Sequence, residues 1–172
     1  MGEENTLIYQ QLLIGETLKA AAHSVPNQTA FVYENQQLTY AQLLDRAGKV
    51  SGWLHEQGVQ KDDKIGCIFK NGMAFVELYF GVTVNGAVFV PINFRLTASE
   101  MQYILNNADV KILFIEEEYI EIAREIVPLL PKIEKVIVVD APNDIELDSN
   151  WLLYENIFNA EPHFREVDFT DD

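Results

Sequence analysis

Phe75-Val76-Glu77-Leu78-Tyr79-Phe80-Gly81-Val82-Thr83-Val84-Asn85-Gly86-Ala87-Val88-Phe89-Val90-Pro91-Ile92-Asn93-Phe94-Arg95-Leu96 reads as a buried helix running into a buried strand. Phe75, Val76, Leu78, Tyr79, Phe80, Val82 and Val84 leave almost no polar face, as in a helix covered on all sides. Asn85 and Gly86 stop it, because glycine enters the left-handed conformation of a helix C-terminus without a Cβ clash. Ala87 to Val90 follow as an apolar run of the kind that suits a parallel strand covered on both faces. Pro91 is expected to end its ladder. In open α/β sheets ligands collect beyond the carboxyl ends of strands, so Asn93-Phe94-Arg95 stands where one could be reached.

On the N-terminal side, Lys64 to Phe69 reads as the first central strand, with Asn71 as the expected cap of the apolar helix. Strand, helix, strand in that order implies a right-handed parallel crossover. Before it, Thr39 and Gln42 form a capping box, and Tyr40, Leu43, Leu44, Ala47, Val50 and Leu54 recur at helical spacing until Gly58. Thr29 to Tyr33 and Gln37 to Thr39 pair as a hairpin across Glu34-Asn35-Gln36. A first helix is expected from about Thr6 to His23, with Gly15 weakening it.

On the C-terminal side, Thr97 and Glu100 form a second capping box, with Met101, Ile104, Leu105 and Ala108 as the apolar stripe behind it. Ile112 to Ile115 and Val136 to Val139 are further buried strands. Between them Glu117 to Leu130 is read as a helix with acidic residues at its favoured end. Asp140 to Asn150 is polar and turn-like, Trp151 to Phe158 is expected to be one short helix, and His163 to Asp172 is an acidic tail. Alternating strand and helix predicts a three-layer α/β domain with a largely parallel sheet.

Charge excludes some functions. With 27 Asp and Glu against 12 Lys and Arg, the formal charge of −15 repels polyphosphates and anionic lipid at long range, so neither nucleic acid nor a membrane surface is an expected partner. No apolar run approaches the ~20 residues of a membrane helix, and Glu3 and Glu4 are unlike a basic signal-peptide start. A cytoplasmic location is the expectation. The single Cys67 sits in an apolar strand and reads as a core residue rather than a nucleophile. His23, His55 and His163 lack ligand spacing, so no metal site is expected.

Asn85-Gly86-Ala87-Val88-Phe89-Val90-Pro91-Ile92-Asn93-Phe94-Arg95-Leu96-Thr97 resembles the early motif of the adenylate-forming enzymes: acyl-CoA synthetases, amino-acid adenylation domains and luciferases. Leu38-Thr39-Tyr40-Ala41-Gln42-Leu43 is similar to that family's Leu-Thr-Tyr-x-Glu-Leu, with Gln for Glu, and Glu100 to Ala108 is similar to the segment that follows. The resemblance runs in order from about Pro26 to Asp172. Amino-acid adenylation domains usually continue with Asp-Pro and a second Pro. Ile92-Asn93-Phe94-Arg95 stands closer to the acyl-CoA ligase pattern, the long-chain fatty-acid type included.

The resemblance implies that residues 1–172 are a truncated N-terminal subdomain piece of the large adenylating domain. Residues 159–172 would then be an acidic tail leading to a phosphate loop that is not in the chain. The parent would join a fatty or other carboxylic acid to AMP and then to CoA, using ATP, CoA and Mg. This chain alone is expected to be inactive, to bind none of them tightly and to self-associate through its uncovered face. No catalytic residue is assigned. Arg95 is the one cofactor-binding candidate: the matching Arg of CoA-forming relatives contacts CoA phosphates, a role that suits a guanidinium. The alternative for Arg95 is an ion pair or plain solvation. For the chain, the alternatives are a stand-alone α/β binding or interaction module without catalysis, or a piece of an amino-acid or aryl-acid adenylating enzyme.

Overall fold

The computed structural model describes residues 14–142 and 144–166. Helix α1 spans Ile14–Ser24, hairpin strands β1 and β2 span Thr29–Tyr33 and Gln36–Thr39, and α2 spans Tyr40–Glu56. Then come β3 (Lys64–Ile68), α3 (Met73–Asn85), β4 (Val88–Ile92), α4 (Ala98–Asn107), β5 (Val110–Glu116), α5 (Ile120–Ile126), β6 (Lys135–Val139) and β7 (Trp151–Leu153). Residues 6–13 of the expected first helix lie outside the described residues.

The fold is the three-layer α/β arrangement that the alternation predicts. A five-stranded sheet has the order β4-β3-β5-β6-β7, and every pair in it is parallel. Alternate strand residues feed opposite faces. Ile65, Cys67, Ile112, Phe114, Ile137 and Val139 pack with Val50 and Leu54 of α2 and Leu78 and Val82 of α3. Leu113, Ile115, Val136 and Val138 pack with Met101 and Leu105 of α4 and Ala123 and Ile126 of α5. Outside α2 and α3, Leu18 of α1 joins Leu43 and Ala47 beneath the hairpin residues Ala30 and Leu38.

Both capping boxes form. Thr39 Oγ1 accepts from Gln42 N–H at 3.3 Å while Thr39 N–H donates to Gln42 Oε1 at 2.9 Å. Thr97 N–H donates to Glu100 Oε2 at 2.8 Å, and Glu100 N–H returns a bond to Thr97 Oγ1 at 3.4 Å. Gly86 ends α3 in the left-handed region at φ 83°, as its missing Cβ allows.

Several expectations are corrected. Gly72, not Asn71, caps α3, and no side-chain bond is made there. The helix is not covered all round: Phe75, Val76, Tyr79 and Phe80 stay half-buried. Strand β4 runs on through Pro91 and lies at the sheet edge, where a missing N–H leaves no gap between strands. Glu117 to Leu130 is not one helix but a 3-10 turn, α5 and a second 3-10 turn containing Pro128, since proline removes a helical donor. Trp151 to Phe158 is not a helix either. Trp151–Leu153 pairs with Val136–Val138 as β7, and Tyr154–Asn159 coils as a 3-10 turn. Sheet pairing and burial of Trp151 override the local preference.

Candidate functional site

The crossover from β3 leads to β4 on one side, whereas β5 lies on the other side of β3 and leads away to β6. Connections reverse between β3 and β5, and a crevice opens beyond the carboxyl ends of strands at such a reversal. The structure has a cleft there. A lobe of about 270 Å³ is lined by Lys70 and Gly72 after β3, Glu116 at the end of β5, Asp140 after β6, and Tyr33 and Glu34 of the hairpin turn. It adjoins a lobe of about 480 Å³ lined by Gln36, Arg46, Met73, Glu77, Tyr154 and Glu155.

The inner wall is a buried polar triad. Glu77, 2% exposed, accepts from Arg46 Nε, from Arg46 Nη2 at 3.1 Å, and from the Tyr154 hydroxyl at 2.8 Å. Arg46 also lies flat over the Phe158 ring, 3.9 Å from its centroid. Burial opposes the charge on Arg46, yet the hydrogen bond and charge of Glu77 hold its pKa above the ordinary value. Burial, and then the Glu77 charge, push the Tyr154 phenol well up, so it stays a donor. The triad ties α2 and α3 to the turn after β7. A lone carboxylate in an otherwise apolar helix was the signal for it in the sequence, because a buried charge needs partners.

At the outer lip, Glu116 accepts from Lys70 N–H at 3.1 Å. Burial raises its pKa; that bond works against the rise, and the charges of Glu118 and Asp140 add to it. Lys70 is taken up by Glu118 at 2.5 Å. Among the described residues Glu116, Asp140 and Glu155 have no cationic partner within ion-pair distance. The cleft thus presents acceptors and negative charge, the opposite of a cradle for a triphosphate. Among the described residues no three His, Cys, Asp or Glu side chains converge as a metal site.

Arg95 lies elsewhere. It follows β4 at the same end of the parallel sheet and lines neither lobe. It is exposed, with its N–H on Asn93 Oδ1 at 3.0 Å and its guanidinium 5.2 Å from the Phe94 centroid. No carboxylate pairs with it among the described residues. Cys67 is buried in β3, and that burial lifts its thiol pKa to about 12, which suits a core residue. His55 and His163, 108 positions apart in the chain (163 − 55), are brought into contact, which no spacing rule detects.

Residues 18–163 match the family model described as AMP-binding enzyme. This chain belongs to that family. Among curated relatives, it is 35% identical over 133 residues to the medium/long-chain-fatty-acid–CoA/3-oxocholest-4-en-26-oate–CoA ligase of Mycobacterium tuberculosis, covering 77% of this chain and 24% of that protein. It is 34% identical over 126 residues to 4-hydroxybutyrate–CoA ligase 2 of Metallosphaera sedula, covering 73% and 23%. The crystal structure of coronafacic acid ligase from Pectobacterium brasiliense superposes with a TM-score of 0.82 over 91% of this chain and 31% of that one, at 18% identity. That likeness shows the fold. The chain spans about a quarter of the length of the curated AMP-binding relatives, 24% in the first case. Among the described residues no helix is long and apolar enough to cross a membrane.

Proposed function

We propose that this chain is the N-terminal subdomain of the large adenylating domain of an ATP-dependent acyl-CoA ligase, located in the cytoplasm and acting on a fatty acid. The enzyme would join the carboxylate to AMP with loss of pyrophosphate, then transfer the acyl group to the CoA thiol with release of AMP. The observation that carries this reading is the 35% identity, over 77% of the chain, to a fatty-acid–CoA ligase. ATP and Mg supply the activating chemistry. No stretch of these 172 residues reads as a Ser/Thr/Gly loop closed by Lys, and the cleft is acidic, so their contacts fall to parts of such an enzyme that this chain does not include. CoA is different. An exposed Arg95 guanidinium without a carboxylate partner suits its phosphates.

The test is Arg95→Ala in the full-length enzyme. A lost charge-assisted phosphate contact is worth about 1.5–3 kcal/mol, so the KM for CoA is expected to rise roughly ten- to a hundredfold. Adenylate formation from ATP and acid should stay unchanged. Equal loss in both half-reactions, or an unaltered KM for CoA, rejects the assignment.

A further inference from the structure

Residues 160–166 run as a strap along α2. Gly48 and Gly52 make the room: a Cβ at Gly48 would come 2.6 Å from Phe164 Cζ, and one at Gly52 would drive into the Glu161 carbonyl oxygen. The His163 N–H donates to Gly48 O at 3.0 Å, and the Arg165 N–H donates to Val84 O at 3.1 Å. Arg165 Nη2 reaches Val59 O at 2.7 Å. Across this seam the rings of His55 on α2 and His163 on the strap stack with centroids 4.0 Å apart and planes 15° from parallel.

We propose that the His55–His163 stack is an acid-sensitive clasp, closed while both imidazoles are neutral and opening the 160–166 strap away from α2 when both are protonated. Two imidazolium rings in that geometry would set like charges in contact. The surroundings add to the effect. Arg165 on the strap is cationic, and Lys19 of α1 lies 5.4 Å from the Phe164 centroid, held there by Glu16. On α2, Lys49 is paired with Asp45. Glu56, Glu161 and Glu166 are neighbours in sequence, yet among the described residues no carboxylate pairs with either imidazole. The Val84 end of α3 contributes no charge.

Burial, then the charges of His55 and Arg165, hold the His163 pKa below its ordinary value. A histidine whose folded pKa is depressed favours the folded contact above the unfolded value of about 6.5, and that contribution is lost as pH falls through the folded value. Opening would uncover the Gly48–Gly52 groove by removing Pro162 and Phe164 from it.

The experiment is an NMR titration of the histidine ring protons of the whole chain from about pH 8 to 5, with amide exchange measured on the same samples. His163 is expected to titrate below about 6.5, and the exchange protection of the His163 and Arg165 amides, corrected for intrinsic rate, to fall as the pH drops through that titration. Amides of β5 should not change. His55→Gln, at an exposed position, and His163→Gln should each keep the strap protected across the range. A titration at or above the ordinary value overturns the clasp. So does loss of protection that persists in His55→Gln, or that β5 shares.

Discussion

Glu77 is the only charged residue in Met73–Asn85, and three donors converge on it. Removing the Tyr154 hydroxyl takes away one bond to a carboxylate, worth about 1.5–3 kcal/mol. Glu77→Ala leaves a guanidinium and a phenol without their acceptor, for which about 3–5 kcal/mol is the usual range. Part of Arg46 reaches solvent, with 32% of its side chain exposed, so the lower end is expected. Urea unfolding of Tyr154→Phe, Glu77→Gln and the double variant measures the coupling. Strictly additive costs would mean that the hydroxyl and the carboxylate do not act as a unit. Arg95 differs from this triad in kind: it is exposed and its removal should leave stability untouched.

Between elements, α3 packs closely on α2 at Gly81. A Cβ at Gly81 would drive into the Val50 side chain and stand 3.1 Å from Ala47 O. Alanine raises helix propensity by about 1 kcal/mol over glycine in a helix interior. Overpacking a tight contact costs typically about 1–3 kcal/mol, and the Ala47 carbonyl oxygen is backbone and cannot turn aside. Gly81→Ala is therefore expected to destabilise despite its better propensity, and a raised Tm would show that the two helices separate more easily than their packing implies. Gly58 makes a useful contrast. Its φ of 74° needs glycine although nothing crowds it, so there the cost is conformational rather than steric.

For the whole molecule, the β4 edge carries a run of partly exposed aromatic side chains. Phe75 and Tyr79 of α3 stand edge-on to Phe89 of β4, at 5.4 and 5.6 Å between centroids, and Phe80 adjoins Tyr79 at 5.2 Å. All four are half-buried, Val88 is 39% exposed, and β4 carries no charged guard along its outer edge. Such a patch binds hydrophobic dye and favours association. The −15 charge opposes contact between copies, and salt screens it. Association should accordingly grow with ionic strength. Light scattering that finds only monomer at high concentration and high salt, with no bound dye, would count against an uncovered face.

Alternation of apolar strands with capped helices was legible in the sequence because each signal is local. Thr39 with Gln42, Thr97 with Glu100, and Asn85-Gly86 specify where helices begin or end through bonds within one turn. Strand runs at 64–69, 112–115 and 136–139 are apolar on both faces because they are central. By themselves these residues determined a parallel three-layer α/β domain, and the motif around Arg95 pointed to its family. What they left open depends on neighbours distant in the chain. Pro91 sits inside a strand only because β4 falls at an edge, and Trp151 to Leu153 become a strand only because β6 offers a free partner. Glu77 could be read as a lone charge, but its meeting with Arg46 and Tyr154, like that of His55 with His163, exists only after α2, α3 and the chain beyond β7 have packed. Local hydrogen bonding and hydrophobic period are written along the sequence, whereas edge position, polar pairing across elements and the shape of the cleft are properties of the packed whole.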